Sequence, residues 1–326
     1  MKPAPFEYHA PSSAAEVVKL LEELGDGAKV VAGGQSLLPM LALRLAYFDH
    51  LVDLRHVEEL RGIEQRSTAD HGDSLWIGGA TTQAVIGRSD VVSALAPLLS
   101  RATPLIGHFQ IRNRGTIGGS LAHAEASAEY PAVALTLDAA IETLSPRGQR
   151  TIPATEFFTG IWDTALEPDE LLTGVQFPVW GGVNGADASG SRCGFAVEEF
   201  ARRPGDFAIA GATVAVQVSG RGQVTRCGIG LFGLGPTPLR AAAAEAAVTG
   251  GSALGDANQA AEIGAAAMEE LDSVPADLHG SAGYRKRVGA AMVAKAWRRA
   301  IGEATGTGGP DGAGNDGAAS EGAGHG

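Results

Sequence analysis

Three glycine pairs lie in the first 120 residues, each set among hydroxyl or amide side chains. They occur in Val30-Val31-Ala32-Gly33-Gly34-Gln35-Ser36, in Leu75-Trp76-Ile77-Gly78-Gly79-Ala80-Thr81 and in Thr116-Ile117-Gly118-Gly119-Ser120. A glycine pair behind a strand removes the Cβ that would keep a ligand away from the backbone. Successive N–H groups in such a turn form a nest for an anion, a diphosphate above all. Ser36, Thr116 and Ser120 would add hydroxyl donors. The plainer reading of any single pair is a tight turn. Repetition behind apolar strand-like runs shifts the balance modestly toward a bound cofactor. The flanks differ too much for a tandem repeat, so the pattern reads as one local device used again.

Other chemistries fit less well. Gly228-Ile229-Gly230-Leu231-Phe232-Gly233 is a literal GxGxxG, but a dinucleotide fingerprint must open a helix from its glycine turn. Pro236 and Pro238 follow closely, and Thr237 as cap with Pro238 at the first position predicts a helix starting only there. The glycines then fall within or at the end of a strand. His123, Glu125 and Glu129 lack HExxH spacing, so a polar turn is the better reading than a metal centre. GxSxG and GxxxxGK[ST] patterns are both missing from the chain. No residue is singled out as a general acid, a general base or a metal ligand.

The elements that must position these glycines follow from patterning. Ser13-Ala14-Ala15-Glu16 reads as a capping box opening an amphipathic helix to Leu24, which Gly25 ends. Strands are expected at Lys29–Ala32, Leu51–Leu54, Ala140–Leu144 and Leu171–Phe177. The polar, glycine-rich run 181–192 is the best domain boundary. Strand-like segments near 193–201, 207–218 and 224–234 precede helical patterns at 239–249, 256–271 and 281–301, which suggests an α+β module. Residues 283–301 carry Arg285, Lys286, Arg287, Lys295, Arg298 and Arg299 and no acid. They read either as a solvated basic face or as a surface for a partner subunit. From Gly306 onward 9 of 21 residues are glycine, and this tail is expected to be disordered.

With 326 residues, 44% of them hydrophobic, and a formal charge of −12, the chain fits a globular protein of about two domains. Its acidity argues against nucleic acid or an anionic membrane as partner. Two cysteines, Cys193 and Cys227, are too few for an iron–sulfur cluster and read as buried thiols. No signal pattern or membrane-length apolar run is evident, so a cytoplasmic location is expected.

The glycine segments also carry a family resemblance. Val31-Ala32-Gly33-Gly34-Gln35-Ser36-Leu37-Leu38-Pro39-Met40 resembles the first FAD segment of the medium subunits of molybdenum hydroxylases, the xanthine dehydrogenase and carbon monoxide dehydrogenase family. Ile106-Gly107 through Ile111-Arg112-Asn113-Arg114-Gly115-Thr116-Ile117-Gly118-Gly119-Ser120-Leu121-Ala122-His123-Ala124 resembles the second. Phe200-Ala201-Arg202-Arg203, Gly205-Asp206-Phe207-Ala208, Gly233-Leu234-Gly235-Pro236-Thr237-Pro238 and His279-Gly280-Ser281-Ala282 extend the likeness to residue 302.

The resemblance implies an α+β fold with a vanillyl-alcohol-oxidase-type (PCMH-type) FAD-binding domain of two lobes over 1–180. A C-terminal domain of short antiparallel sheet and helices over 186–302 and a tail from 303 would follow. It implies FAD held by Val31, Ala32, Gly33, Gly34, Gln35, Ser36 and Leu37 with Thr116, Ile117, Gly118, Gly119, Ser120 and His123. Ile106 and Leu172 would contact the flavin or adenine end, and Glu129 would hydrogen-bond the cofactor. Gln35 stands where carbon monoxide dehydrogenases usually have histidine, Ser120 replaces a common asparagine, and Glu129 a common aspartate.

On this reading a large molybdopterin subunit oxidises the substrate, a small subunit with two [2Fe–2S] clusters relays electrons to FAD here, and the heterotrimer is expected to dimerise. A self-sufficient flavin oxidase, or an assembly protein without FAD, is the alternative. Valine at Gly33 or Gly118 is expected to clash with the diphosphate while leaving much of the fold intact.

Overall fold

The computed structural model describes residues 2–68, 72–181, 190–253 and 258–307. Ser13 caps the first helix, its hydroxyl accepting from the Glu16 amide, and Gly25 closes it at φ 58°. The returning arm of the box goes elsewhere: the Glu16 carboxylate accepts from the Ser12 amide at 2.7 Å.

That helix, α1 (Ala14–Leu24), joins β1 (Glu7–His9) to β2 (Ala28–Val31). After α2 (Leu37–Ala42) comes β3 (His50–Asp53), which lies between the other two in an all-parallel sheet ordered β1-β3-β2. Val17, Val18 and Leu21 of α1 pack on Val52, Leu54 and Leu60, so the helix covers one face of this small sheet.

The second lobe is an antiparallel sheet. Its strands are β4 (Ile63–Thr68), β5 (Gly72–Gly78), β6 (Ala140–Ser145), β7 (Gly148–Pro153) and, after the two-stranded pair β8 (Phe158–Gly160) and β9 (Asp163–Thr164), β10 (Leu171–Pro178). Their order is β4-β5-β10-β6-β7. Between β5 and β6 run α3 (Gln83–Gly87), α4 (Asp90–Leu95), α5 (Pro97–Ala102), α6 (Phe109–Arg112), α7 (Ile117–His123) and α8 (Glu129–Thr136); α9 (Ala154–Phe157) follows β7. Leu75, Ile77, Leu98, Ile117, Leu121, Tyr130, Ile141 and Val175 are fully or almost fully buried in the core these elements enclose.

Beyond residue 190 the chain forms a second antiparallel sheet, β11 (Arg192–Phe200), β12 (Ala210–Val218), β13 (Val224–Phe232) and β14 (Leu239–Arg240). Helices α10 (Ala242–Val248), α11 (Gln259–Glu269) and α12 (Ala282–Thr305) complete it. Side chains alternate across a strand, and both faces of this sheet are buried. Ala212, Val214 and Val216 face the helices, with Trp297 and Val293. Phe195, Cys193 and Ala215 face the other way, into the core of the five-stranded lobe.

Several expectations need correcting. The stretch after Pro236 does not begin a helix at Pro238: Leu239 and Arg240 pair with Leu231 and Gly230, and α10 starts at Ala242. Sheet pairing overrides the local cap signal there. Gly228 and Gly230 do lie inside β13, as expected. The third glycine pair does not follow a strand; it occupies the first turn of α7, capped by Thr116.

The basic run of α12 is in part the solvated face expected, with Arg287, Lys295, Arg298 and Arg299 exposed, and in part tied to the sheet. Arg285 is buried and bonded to the Ile209 and Gly233 carbonyls, while Lys295 and Arg299 both pair with Glu198. The helix also continues past 303, where the tail was expected to start, to a left-handed cap at Gly306. Residues 308–326 of that tail and 182–189 of the glycine-rich bridge lie outside the described residues. Both cysteines are buried thiols outside any disulfide.

Candidate functional site

The three glycine pairs meet at one junction. A Cβ on Gly33 would lie 2.7 Å from the Gly115 Cα and closer still to the Arg114 carbonyl oxygen. One on Gly118 would lie 2.6 Å from the Gly79 carbonyl oxygen, and one on Gly119 would be 3.4 Å from the Ala32 Cβ. Only glycine lets three backbones approach so closely. The hydrogen bonds fit that purpose: Gly118 N–H donates to Gly79 O at 2.9 Å, Ile117 N–H to Thr81 O at 3.1 Å and Gln83 N–H to Gly115 O at 2.8 Å. The glycines are therefore structural first. Valine at Gly33 or Gly118 would wedge the loops apart, which corrects the expectation of a clash with ligand alone.

The two nucleotide-loop candidates differ in what they leave open. In the second, the Ile117, Gly118 and Ser120 amides donate to backbone carbonyls and the Gly119 amide to the Thr116 hydroxyl at 3.0 Å. In the first, among the described residues, the amides of Gly33 to Leu37 have no acceptor within the chain. The Gln35 side chain folds back to donate to the Gly33 carbonyl at 2.9 Å, fixing the turn. The hydroxyls of Ser36 and Ser120, both half-buried, also have no partner among the described residues. Gly33–Leu37 thus offer a row of amide donors without acceptors among the described residues, and Gly119 of α7 packs against Ala32 beside them. Such a cradle fits a diphosphate, whose oxygens accept and do not donate.

His123 lies one turn beyond Ser120 on the same helix face. Its ring stacks on Trp162, 6.3 Å between centroids and 9° between planes, and burial holds its pKa below the usual histidine value. Trp162 in turn donates to Glu125 at 2.8 Å. Leu172 belongs to the hydrophobic core; its backbone packs under Gly79, so it supports the junction from beneath. Ile106 is half-buried against the same core, and its carbonyl accepts from Arg112 at 2.8 Å.

Loop 106–116 leads from the junction to a groove of about 450 Å³. Leu105, His108, Phe109 and Arg112 line one side; Glu199, Pro204 and Gly205 line the other. Glu129 lies nearby at the start of α8 and is almost fully buried. Burial pushes its carboxyl up to about 8, Glu199 adds to the rise and Arg112 opposes it. Near neutral pH it is mostly a neutral acid, able to donate a hydrogen bond where a carboxylate could only accept.

Glu199, pushed up to about 7 by burial, has a carboxylate oxygen with no partner among the described residues. Sequence reading missed it. Strand alternation was the available signal: Glu198 turns to α12 and pairs with Lys295, so Glu199 must face the opposite way.

Comparison with known proteins agrees with this arrangement. Residues 4–180 match the family model described as the FAD binding domain in molybdopterin dehydrogenase. Residues 195–300 match the CO dehydrogenase flavoprotein C-terminal domain. The chain is 39% identical over 297 residues to the carbon monoxide dehydrogenase medium chain of Hydrogenophaga pseudoflava, covering 91% of this chain and 97% of that one. It is 38% identical to the 6-hydroxypseudooxynicotine dehydrogenase complex subunit alpha of Paenarthrobacter nicotinovorans, covering 92% and 96%.

Among solved structures, the carbon monoxide dehydrogenase of Hydrogenophaga pseudoflava superposes with a TM-score of 0.85 at 38% identity, over 93% of this chain and all of the other. Quinoline 2-oxidoreductase from Pseudomonas putida 86 gives 0.83 at 34%, over 93% and 99%. The two family models together cover residues 4–180 and 195–300, and the chain belongs to the family of FAD-binding subunits of the molybdenum hydroxylases.

Proposed function

We propose that this chain is the flavin-bearing member of a heterotrimer. It takes electrons from the two [2Fe–2S] clusters of a small partner and delivers them to an external acceptor. A large molybdopterin partner oxidises the organic substrate, an aldehyde or N-heterocycle. Two heterotrimers pair in the cytoplasm. FAD, when bound, supplies the exchange between one-electron and two-electron carriers. The chain's own residues bind and orient it, so no side chain here is assigned as a general acid or base.

The observation that carries this reading is the row of unpaired amides at Gly33–Leu37, facing a second glycine loop locked against it. Ser36 and Ser120 would complete the diphosphate cradle beside Val31, Ala32 and Gly119. Ile106, His123 and Glu129 would flank the cofactor, and Leu172 would back the loop. Carbon monoxide is not the substrate favoured here, because Gln35 stands in the position where the resemblance calls for histidine.

The test is to purify the untagged chain, measure flavin per chain, and mix it anaerobically with its reduced iron–sulfur partner. One flavin per chain, bleached by the partner, is the expected result. Turnover of an organic substrate by the chain alone would favour a self-contained flavin oxidase. A colourless chain that cannot take up FAD would favour an assembly protein.

A further inference from the structure

A second site lies on the parallel sheet, away from the glycine junction. Glu7 and His9 are two apart on β1, so their side chains share one face of the strand. His50 of β3 is the direct cross-strand neighbour of Glu7 and projects beside both. The His9 Nε2 is 3.2 Å from the His50 Nδ1, and the Glu7 carboxylate is 3.5 Å from the same Nδ1. All three donor atoms lie within 4.8 Å of one another, the only such cluster of histidine, cysteine and carboxylate groups among the described residues.

We propose that Glu7, His9 and His50 bind a divalent late transition ion, of which Zn²⁺ is the representative. Metal–ligand bonds of about 2.0–2.1 Å in a tetrahedral shell set donor atoms about 3.3 Å apart. The separations of 3.2 and 3.5 Å bracket that edge. The third closes by rotation of the Glu7 side chain, which is 75% exposed. Two imidazoles and one carboxylate suit zinc, nickel, cobalt or copper(II) better than magnesium or calcium, which take oxygen ligands. Three protein ligands leave the fourth position to water.

The backbone fixes the imidazoles through strand pairing, so the ion would find its donors in place. An ion there would clip β1 to β3, the strand that also carries β2 and the loop beginning at Gly33. Because the unfolded chain does not bring residues 7–9 next to residue 50, binding would stabilise the folded state.

The experiment is calorimetric titration of Zn²⁺ into the untagged, flavin-loaded chain, repeated with Mg²⁺. A thermal melt at saturating Zn²⁺ and a Co²⁺ absorption spectrum accompany it. One ion per chain is expected, with the melting point rising and Mg²⁺ inert. The His9→Gln/His50→Gln pair should weaken binding at least 100-fold and erase the Co²⁺ spectrum. Glu7→Gln, at an exposed position, should weaken it about tenfold. His279→Gln, on an exposed histidine of the C-terminal segment, should change nothing.

All four proteins should keep their flavin content, which separates this site from the cofactor site. If the histidine pair variant is misfolded, Glu7→Gln decides the matter alone. Zn²⁺ binding that is absent, or as tight in Glu7→Gln as in the parent, overturns the proposal and leaves a simple imidazole–imidazole hydrogen bond.

Discussion

At the scale of single residues, packing and binding roles can be separated at the glycine junction. Gly33 has no room for a side chain, because the Gly115 Cα and Arg114 carbonyl occupy it. Ser36 has room, and its hydroxyl has no partner within the described residues. Gly33→Val should therefore lower the melting temperature sharply, at a cost of about 3 kcal/mol or more from overpacking, and lose flavin as a consequence. Ser36→Ala should leave the melting temperature of the flavin-free chain unchanged and raise the FAD dissociation constant about 10- to 100-fold, the worth of one hydrogen bond to a charged group. Thermal melts and flavin titrations of both variants check this. Equal affinity in Ser36→Ala and the parent would remove Ser36 from the cradle.

Glu129 makes a pH-dependent prediction. Its carboxyl is raised from the ordinary 4.5 to about 8 by burial. Below the unfolded value both states hold the proton. As pH rises above it, the unfolded chain ionises first, so stability declines until the folded group titrates near 8. Glu129→Gln should flatten that decline. The variant should gain about 2–4 kcal/mol over the parent at pH 8.5, an upper range given the nearby Glu199. Melting temperature against pH for the flavin-free proteins is the measurement; parallel curves would mean that Glu129 ionises freely in the folded chain.

At the scale of elements, α12 is tied to the sheet by a buried guanidinium. Arg285 donates to the Ile209 carbonyl at 2.6 Å, to the Gly233 carbonyl at 3.0 Å and to Asp277 at 2.7 Å. These carbonyls flank β12 and β13, so one side chain pins the helix start to two strand ends. Arg285→Met should destabilise by about 3–5 kcal/mol, because it strands two buried carbonyls. Arg285→Lys should recover only part of that, since an ammonium cannot reproduce the planar fork. Denaturant unfolding of both variants measures it, and a loss under 1 kcal/mol would show that water replaces the guanidinium easily.

The same arginine marks where sequence reading stops. Helix α1 was legible because cap, amphipathic spacing and terminal glycine all agree locally. Strands β2, β3, β6 and β10 were legible from apolar runs. That Arg285 turns inward, and that Lys295 and Arg299 meet Glu198, was not, because the Gly233 carbonyl and Glu198 are far away in sequence. Nor was the true start of α10, since Thr237-Pro238 is a good local cap and only the pairing of Leu239 with Leu231 overrules it. At the site, the glycine segments stood out by composition. Which amides stay free depends on the Gly79–Gly118 contact, which no local pattern specifies.

At the scale of the whole molecule, the break suggested by residues 181–192 does not coincide with a break in the core. Cys193, Phe195 and Ala215 complete the hydrophobic cluster of the five-stranded lobe. Buried Thr136 and Thr213 share a hydrogen bond at 2.6 Å. Asp138 pairs with Arg226 and Arg240, and Arg101 grips Glu303 through two bonds of 2.6 Å.

The sheet β11–β14 is therefore half of two cores at once, and the groove containing Glu199 exists only where both halves meet. A fragment ending at residue 181 would uncover that face of the first core, and each buried aromatic or aliphatic side chain so exposed forfeits about 1.5–3 kcal/mol. That exceeds what a domain of this size can spare. Residues 1–181 produced alone should aggregate, or bind FAD at least tenfold more weakly than the full chain, and co-production of 190–326 should restore solubility and flavin. Size-exclusion chromatography with flavin absorbance reads both outcomes. A soluble fragment with full affinity would mean that the first lobe closes its core unaided and that the C-terminal sheet serves only the partners.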